Sequence, residues 1–197
     1  VQWPLRLELP LNQTLHERLR ERLPLSLLDR LLGRPADDRA PVRPLWHRVV
    51  EIAREKPWYA QYGLADSVPG RFDAVTLVLA LVMLRMERDE VLKVLAARLT
   101  ELFVTDMDGQ LRQSGVGDLV VGKRMGKLVS VLGGRIGALR DAFAAPDPQA
   151  ALVPVLERNM TLSETADLPA LATGVQVLMA QIDATSADDL LAGRIAR

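Results

Sequence analysis

The hydrophobic pattern changes period early in the chain. Leu5, Leu7, Leu9 and Leu11 alternate with other residues, and Leu15, Leu19, Leu23 and Leu27 then recur every fourth position. Alternation suits an extended segment and fourfold spacing suits one helix face, so the opening predicts a short extended arm leading into an amphipathic helix. Asn12 is placed to cap that helix, Pro24 to break or bend it, and Gly33 with RPADDRAPVRP marks a hinge. Beyond the hinge the pattern is helical wherever it can be read. LWHRVVEIAREK predicts a helix opened by Pro44 and closed by Pro57. Phe72 to Arg88 is apolar on nearly every side, the pattern of a helix at the centre of a bundle. Asp89 and Glu90 start a further helix through Gln113, with Val91, Leu95, Leu99, Leu102 and Phe103 as its apolar stripe.

A long segment after Gly117 repeats Leu119, Met125, Leu128, Leu132, Ile136, Leu139 and Phe143 at helical spacing. Gly122, Gly126, Ser130, Gly134 and Ala138 recur every four residues, predicting a narrow side on which another helix can approach closely; Gly133-Gly134 equally suits a kink. The tail offers two or three further helices, including Pro148 to Asn159 and Leu168 to Ile182. The predicted class is all-α: a compact multi-helix domain with an N-terminal extended and helical arm. The expected division is an arm and hinge over 1–43, a helical domain over 44–160, and a helical extension over 161–197 packed on it.

Composition narrows the chemistry. The absence of cysteine removes a disulfide framework and a thiolate zinc site. The 25 basic and 25 acidic residues balance, and nearly balance by region, which leaves no basic stripe for nucleic acid. The longest apolar run, Ala74 to Leu84, is 11 residues with only Thr76 polar, short of the roughly 20 that span a bilayer. No secretory-signal pattern opens the sequence, so a cytoplasmic location is expected.

Few motifs suggest catalysis. GDLVVGKR at 117–124 approaches the phosphate-loop spacing, but Arg124 stands where a hydroxyl is needed and the segment reads as helix. His16 and His47 belong to no metal motif, and Asp106 and Asp108, two apart on a helix, do not face the same way. Ser114 in QSGVG is no nucleophile elbow. No catalytic residue, metal or cofactor is expected. Lys123, Arg124, Lys127 and Arg135 form a modest basic group suited to an acidic protein surface, phospholipid headgroups or simple solvation; lacking aromatic neighbours, it has no stacking platform for RNA. Aromatic residues are scarce at 4%, so Trp58, Tyr59 and Tyr62 stand out. They suit either a partner surface or a cover over the bundle. Arg71 is available for a carboxylate contact.

WYAQYGLADSVPGRFD at 58–73 and FVTDMDGQLRQSGVGDLVVGKRMGK at 103–127 resemble the ubiquinol-cytochrome c chaperone family, the assembly factors of respiratory complex III, over roughly residues 44–143. Tyr59, Tyr62, Gly63, Gly70, Arg71, Phe72 and Asp73 carry the first motif. Met107, Asp108, Leu111, Arg112, Gly115, Val116, Gly117, Asp118 and Lys123 carry the second. The resemblance implies a non-enzymatic, cofactor-free bacterial chaperone that binds newly made cytochrome b or an early complex III intermediate. It would work on the cytoplasmic face of the inner membrane, in contact with an anionic lipid surface. The candidate client-binding residues are Trp58, Tyr59, Tyr62, Arg71, Asp108, Arg112, Asp118, Lys123, Arg124 and Lys127. The alternative is a helical quinone- or lipid-binding protein peripheral to the membrane. An enclosed apolar pocket would favour that alternative, and an open patch would favour client binding.

Overall fold

In the computed structural model, residues 37–113 and 118–197 are described, with the side chains of 110–125 excepted. The expected N-terminal arm and helix fall outside them. A 3₁₀ turn at Ala40–Val42 leads into α1 (Arg43–Ala53), α2 (Lys56–Ala60), α3 (Val68–Glu87), α4 (Glu90–Gln113), α5 (Asp118–Phe143), α6 (Pro148–Asn159), α7 (Leu168–Ala184) and α8 (Ala187–Leu191). The described residues contain no strand, and a single antiparallel bridge joins Leu64 to Leu162. The all-α class holds.

α3 lies at the centre because its sequence leaves no polar side. Leu77 through Val82 are six consecutive buried residues, which on a helix covers every face. α1, α4, α5 and α7 all pack on it. Each surrounding helix contributes an apolar stripe: Leu45, Val49 and Ile52 from α1, Leu99 and Phe103 from α4, Leu132 and Leu139 from α5, Leu171, Val175, Leu178 and Ile182 from α7. An aromatic line stiffens one side. Trp46 meets Phe103 edge-on at 6.1 Å, Phe72 lies 6.3 Å from the same ring, and the Trp46 indole donates to Asp106 at 2.6 Å. Asp106, one of the two carboxylates weighed as metal ligands, thus ties α1 to α4.

The helix boundaries follow local chemistry. α1 stops at Ala53, and Pro57 opens α2 instead of closing α1, since proline suits a first helical turn. α3 begins at Val68, four residues before the predicted Phe72; Ser67 caps it by accepting from the Gly70 amide, with proline again in the first turn. Asp89 caps α4, accepting from the amides of Val91 and Leu92 at 3.0 and 3.2 Å. The cap turns the helix so that Leu92 is buried while Val91 is 68% exposed, which corrects the predicted stripe at its first position.

Those amide hydrogen bonds, with that from Leu92 foremost and Arg85 assisting, hold the Asp89 carboxyl below its ordinary 3.8. A depressed carboxyl stabilises the fold above its unfolded pKa and loses that contribution as the pH falls through the folded value. The thermal midpoint of the natural protein should therefore exceed that of Asp89→Ala near neutrality. The gap should close as the pH drops below 3.8, and a gap constant with pH would refute an ionised cap.

Gly63 and Gly70 are among the glycines fixed by close approach. Gly63 has φ +81°, and a Cβ there would lie 2.3 Å from the Ala166 Cα; at Gly70 it would lie 2.0 Å from the Ala65 carbonyl oxygen. Gly70→Ala is expected to destabilise by about 2–4 kcal/mol, measured by urea unfolding, because backbone rather than a flexible side chain must move.

α5 is one continuous helix through Gly133-Gly134, so no helix break occurs there. Among the described residues the close approach predicted for its small-residue side is also absent: a Cβ on Gly126, Gly133, Gly134 or Gly137 would meet nothing within 4 Å. The bundle packs instead on the opposite side of α5, through Leu132, Arg135, Leu139 and Ala142. α5 runs helically through residues 118–124 of the phosphate-loop-like spacing, which form helical turns and not a phosphate cradle.

Candidate functional site

The first motif builds a joint between helices. α1 ends with unsatisfied carbonyls, as every helix does. The Trp58 indole donates to the Ile52 carbonyl at 2.8 Å and the Tyr59 hydroxyl to the Ala53 carbonyl at 2.7 Å, so two aromatic side chains of α2 close that end. Trp58 is only 1% exposed. Tyr62 meets it edge-on at 5.5 Å and packs against Gly174 of α7, where a Cβ would come within 2.7 Å of the tyrosine ring. The Arg197 guanidinium sits 5.8 Å above the Trp58 ring and binds Glu55 at 2.6 Å. Burial raises the Tyr59 hydroxyl above its usual pKa, with Arg71 opposing. Of the two readings open for this segment, Trp58 takes the bundle-covering one, while Tyr59 and Tyr62 stay half-buried.

The chain then turns at Gly63 and pairs with the segment after α6: the Ser163 amide donates to the Gly63 carbonyl and the Ala65 amide to the Thr161 carbonyl, each at 2.9 Å. Beneath this crossing lies a buried polar cluster. Asp73 accepts from Arg135 at 2.5 Å through one oxygen and from the Thr161 amide and hydroxyl at 2.8 and 2.6 Å through the other. Arg135 also donates to the Thr76 hydroxyl and, at 2.5 Å, to the Asn159 carbonyl. Three elements, α3, α5 and the α6–α7 connection, are thereby pinned at one point.

Arg135 was expected among surface cations with Lys123, Arg124 and Lys127, yet it is 7% exposed. The sequence held the signal: Leu132, Arg135, Leu139 and Ala142 share one helical face, so the arginine interrupts an apolar stripe. Asp73 accepts from internal donors through both oxygens, which suits a structural clip.

The other predicted residues are scattered. Arg71 is exposed and pairs with Asp66 at 2.7 Å, an interaction that raises the arginine pKa and lowers that of the carboxyl. Asp108 is half-buried on α4, whereas Lys127 is exposed on α5. Arg112 lies on the last turn of α4, Asp118 starts α5, and Lys123 and Arg124 follow on its first two turns; their side chains fall outside those described. His47 is exposed on α1 and His16 lies outside the described residues. No group of metal-ligating side chains occurs among the described residues, and no described helix is long and apolar enough to cross a membrane.

A shallow groove of about 430 Å³ runs between α5 and α6, floored by Ala138, Ala142, Ala151, Pro154 and Val155, with Asp141 and Arg158 along it. It opens to solvent and encloses nothing.

The described residues thus form a helical bundle held by a buried ionic clip. The family model described as ubiquinol-cytochrome C chaperone matches residues 60–197, and the chain belongs to that family. This makes it an assembly chaperone of respiratory complex III and, as family membership implies, a non-enzymatic factor. Among solved structures it is similar to the Cbp3 homolog from Brucella abortus, with 32% identity and a TM-score of 0.70, covering 87% of this chain and 94% of that one. Comparison with curated proteins finds no match.

Proposed function

We propose that this chaperone holds newly made cytochrome b during assembly of the ubiquinol-cytochrome c oxidoreductase complex, at the cytoplasmic face of the inner membrane. The observation that carries the reading is the family match over residues 60–197.

In this reading Lys123, Arg124 and Lys127, spaced over little more than one turn of α5, meet acidic loops of the client or anionic headgroups, with Arg112 and Asp118 flanking them. Arg71 and Asp108, with the partly exposed Tyr59 and Tyr62, extend the contact, and buried Trp58 supports the tyrosines from beneath. Such charges act at an interface rim, where they steer encounter more than they add affinity.

Affinity capture from solubilised membranes should retain cytochrome b, and capture without it, together with normal cytochrome b maturation in a deletion strain, would overturn the proposal. Reversing Lys123 and Arg124 to glutamate should weaken capture roughly fivefold and reduce its salt dependence, two rim charges at about 0.5 kcal/mol each.

A further inference from the structure

The outer side of α5 is unlike any other described helix surface. Gly126, Ser130, Gly133 and Gly134 are exposed there, directly opposite the buried Leu132, Arg135, Leu139 and Ala142. An interior helical glycine costs about 1 kcal/mol relative to alanine. Nothing in the described fold repays that cost, since none of these glycines adopts a positive φ and none has a neighbour within 4 Å of a would-be Cβ. Val129, beside this face, is 42% exposed.

Independent of the glycines is the placement of charge. Lys127 and Asp141 are both exposed, and among the described residues neither forms an ion pair or hydrogen bond. The neighbouring cation of the same helix, Arg140, is by contrast held by Glu87 at 2.7 Å. Lys127 and Asp141 are fourteen residues apart, a span of about 21 Å that returns to within about 40° on the helix circumference. Gly134 lies midway. The face therefore carries a positive end, a side-chain-free centre and a negative end.

That arrangement is self-complementary. Two such helices crossing antiparallel at Gly134 set Lys127 of each against Asp141 of the other, and Ser130 against Ala138. One patch meets itself about a two-fold axis, as an isologous interface requires. We propose that α5 pairs antiparallel with α5 of a second copy of this chain, with Gly134 on the two-fold axis and two Lys127–Asp141 ion pairs fixing register and direction. The glycines let the helix axes approach closely, and their cost as a solvated surface is offset on pairing. With a single helix crossing at its centre the interface is small, so the dimer is a weak, reversible one.

The test is sedimentation equilibrium of the full chain over a wide concentration range. A monomer–dimer equilibrium is expected, with Lys127→Asp and Asp141→Lys each weakening it at least roughly tenfold and the double reversal restoring it. Gly134→Leu should abolish pairing without lowering the unfolding temperature, because nothing in the described fold occupies that space. Gly134→Cys, introducing a cysteine into a chain that has none, should yield a disulfide-linked dimer on mild oxidation. A monomer at every concentration overturns the proposal, as does a dimer indifferent to the single reversals. So does hydrogen-exchange protection of α5 that arises only with cytochrome b, which would assign the face to the client. Failure of cytochrome b capture leaves the dimer measurement unaffected, so the two readings fall separately.

Discussion

Asp73→Ala is expected to lower the unfolding free energy by about 3–5 kcal/mol, among the largest effects of any single substitution in this chain. The change removes the counter-ion of Arg135 and the one oxygen that accepts from both the Thr161 amide and its hydroxyl, while leaving the guanidinium buried. The cost lies mostly in the stranded charge, not in the intrinsic strength of the pair. Consequently a double variant, Asp73→Leu with Arg135→Met, should recover a large part of the loss, because a well-packed apolar pair avoids desolvating two ions. Urea unfolding of the two single variants and the double variant decides the matter. Equal losses in all three would show that the hydrogen bonds to Thr161 and Asn159, and not the charge, dominate.

The second large effect falls on Trp58. Trp58→Ala should cost about 3–5 kcal/mol through the cavity it leaves, together with the loss of a cap on the Ile52 carbonyl and of the ring beneath Arg197. Trp58→Phe keeps most of the volume and forfeits the indole hydrogen bond, for which about 1–2 kcal/mol is expected. Client capture should track folded fraction in both variants. Capture lost by fully folded Trp58→Phe would instead return the residue to the binding surface.

These two residues mark where reading from sequence stops. Periodicity places α3 at the centre, since a helix with no polar side cannot lie at a surface, and the ends of α4 and α5 were legible from Asp89 and from the glycines around 115–117. Ser67 and Pro69 also signalled the start of α3, although the apolar run beginning at Phe72 hid them. Burial of an aromatic was not legible. Trp58 reads the same on a partner surface and beneath Arg197, and only its closing of α1 and its contact with Tyr62, which packs on α7, decide between the two.

The same limit applies to α5. Its glycines announce close approach to something, but periodicity cannot say whether the approaching helix belongs to the bundle or comes from outside. The structure turns that side outward because Leu132, Leu139 and Ala142 bury more apolar area, and because Arg135 must reach Asp73 across α3. Sequence alone determined the helical class, the central helix, the family resemblance and the absence of cysteine chemistry, each a property of local pattern or residue type. Which face of α5 is free, which arginine is buried and which aromatic is structural were decided only in three dimensions, because each depends on what a residue distant in the chain brings against it.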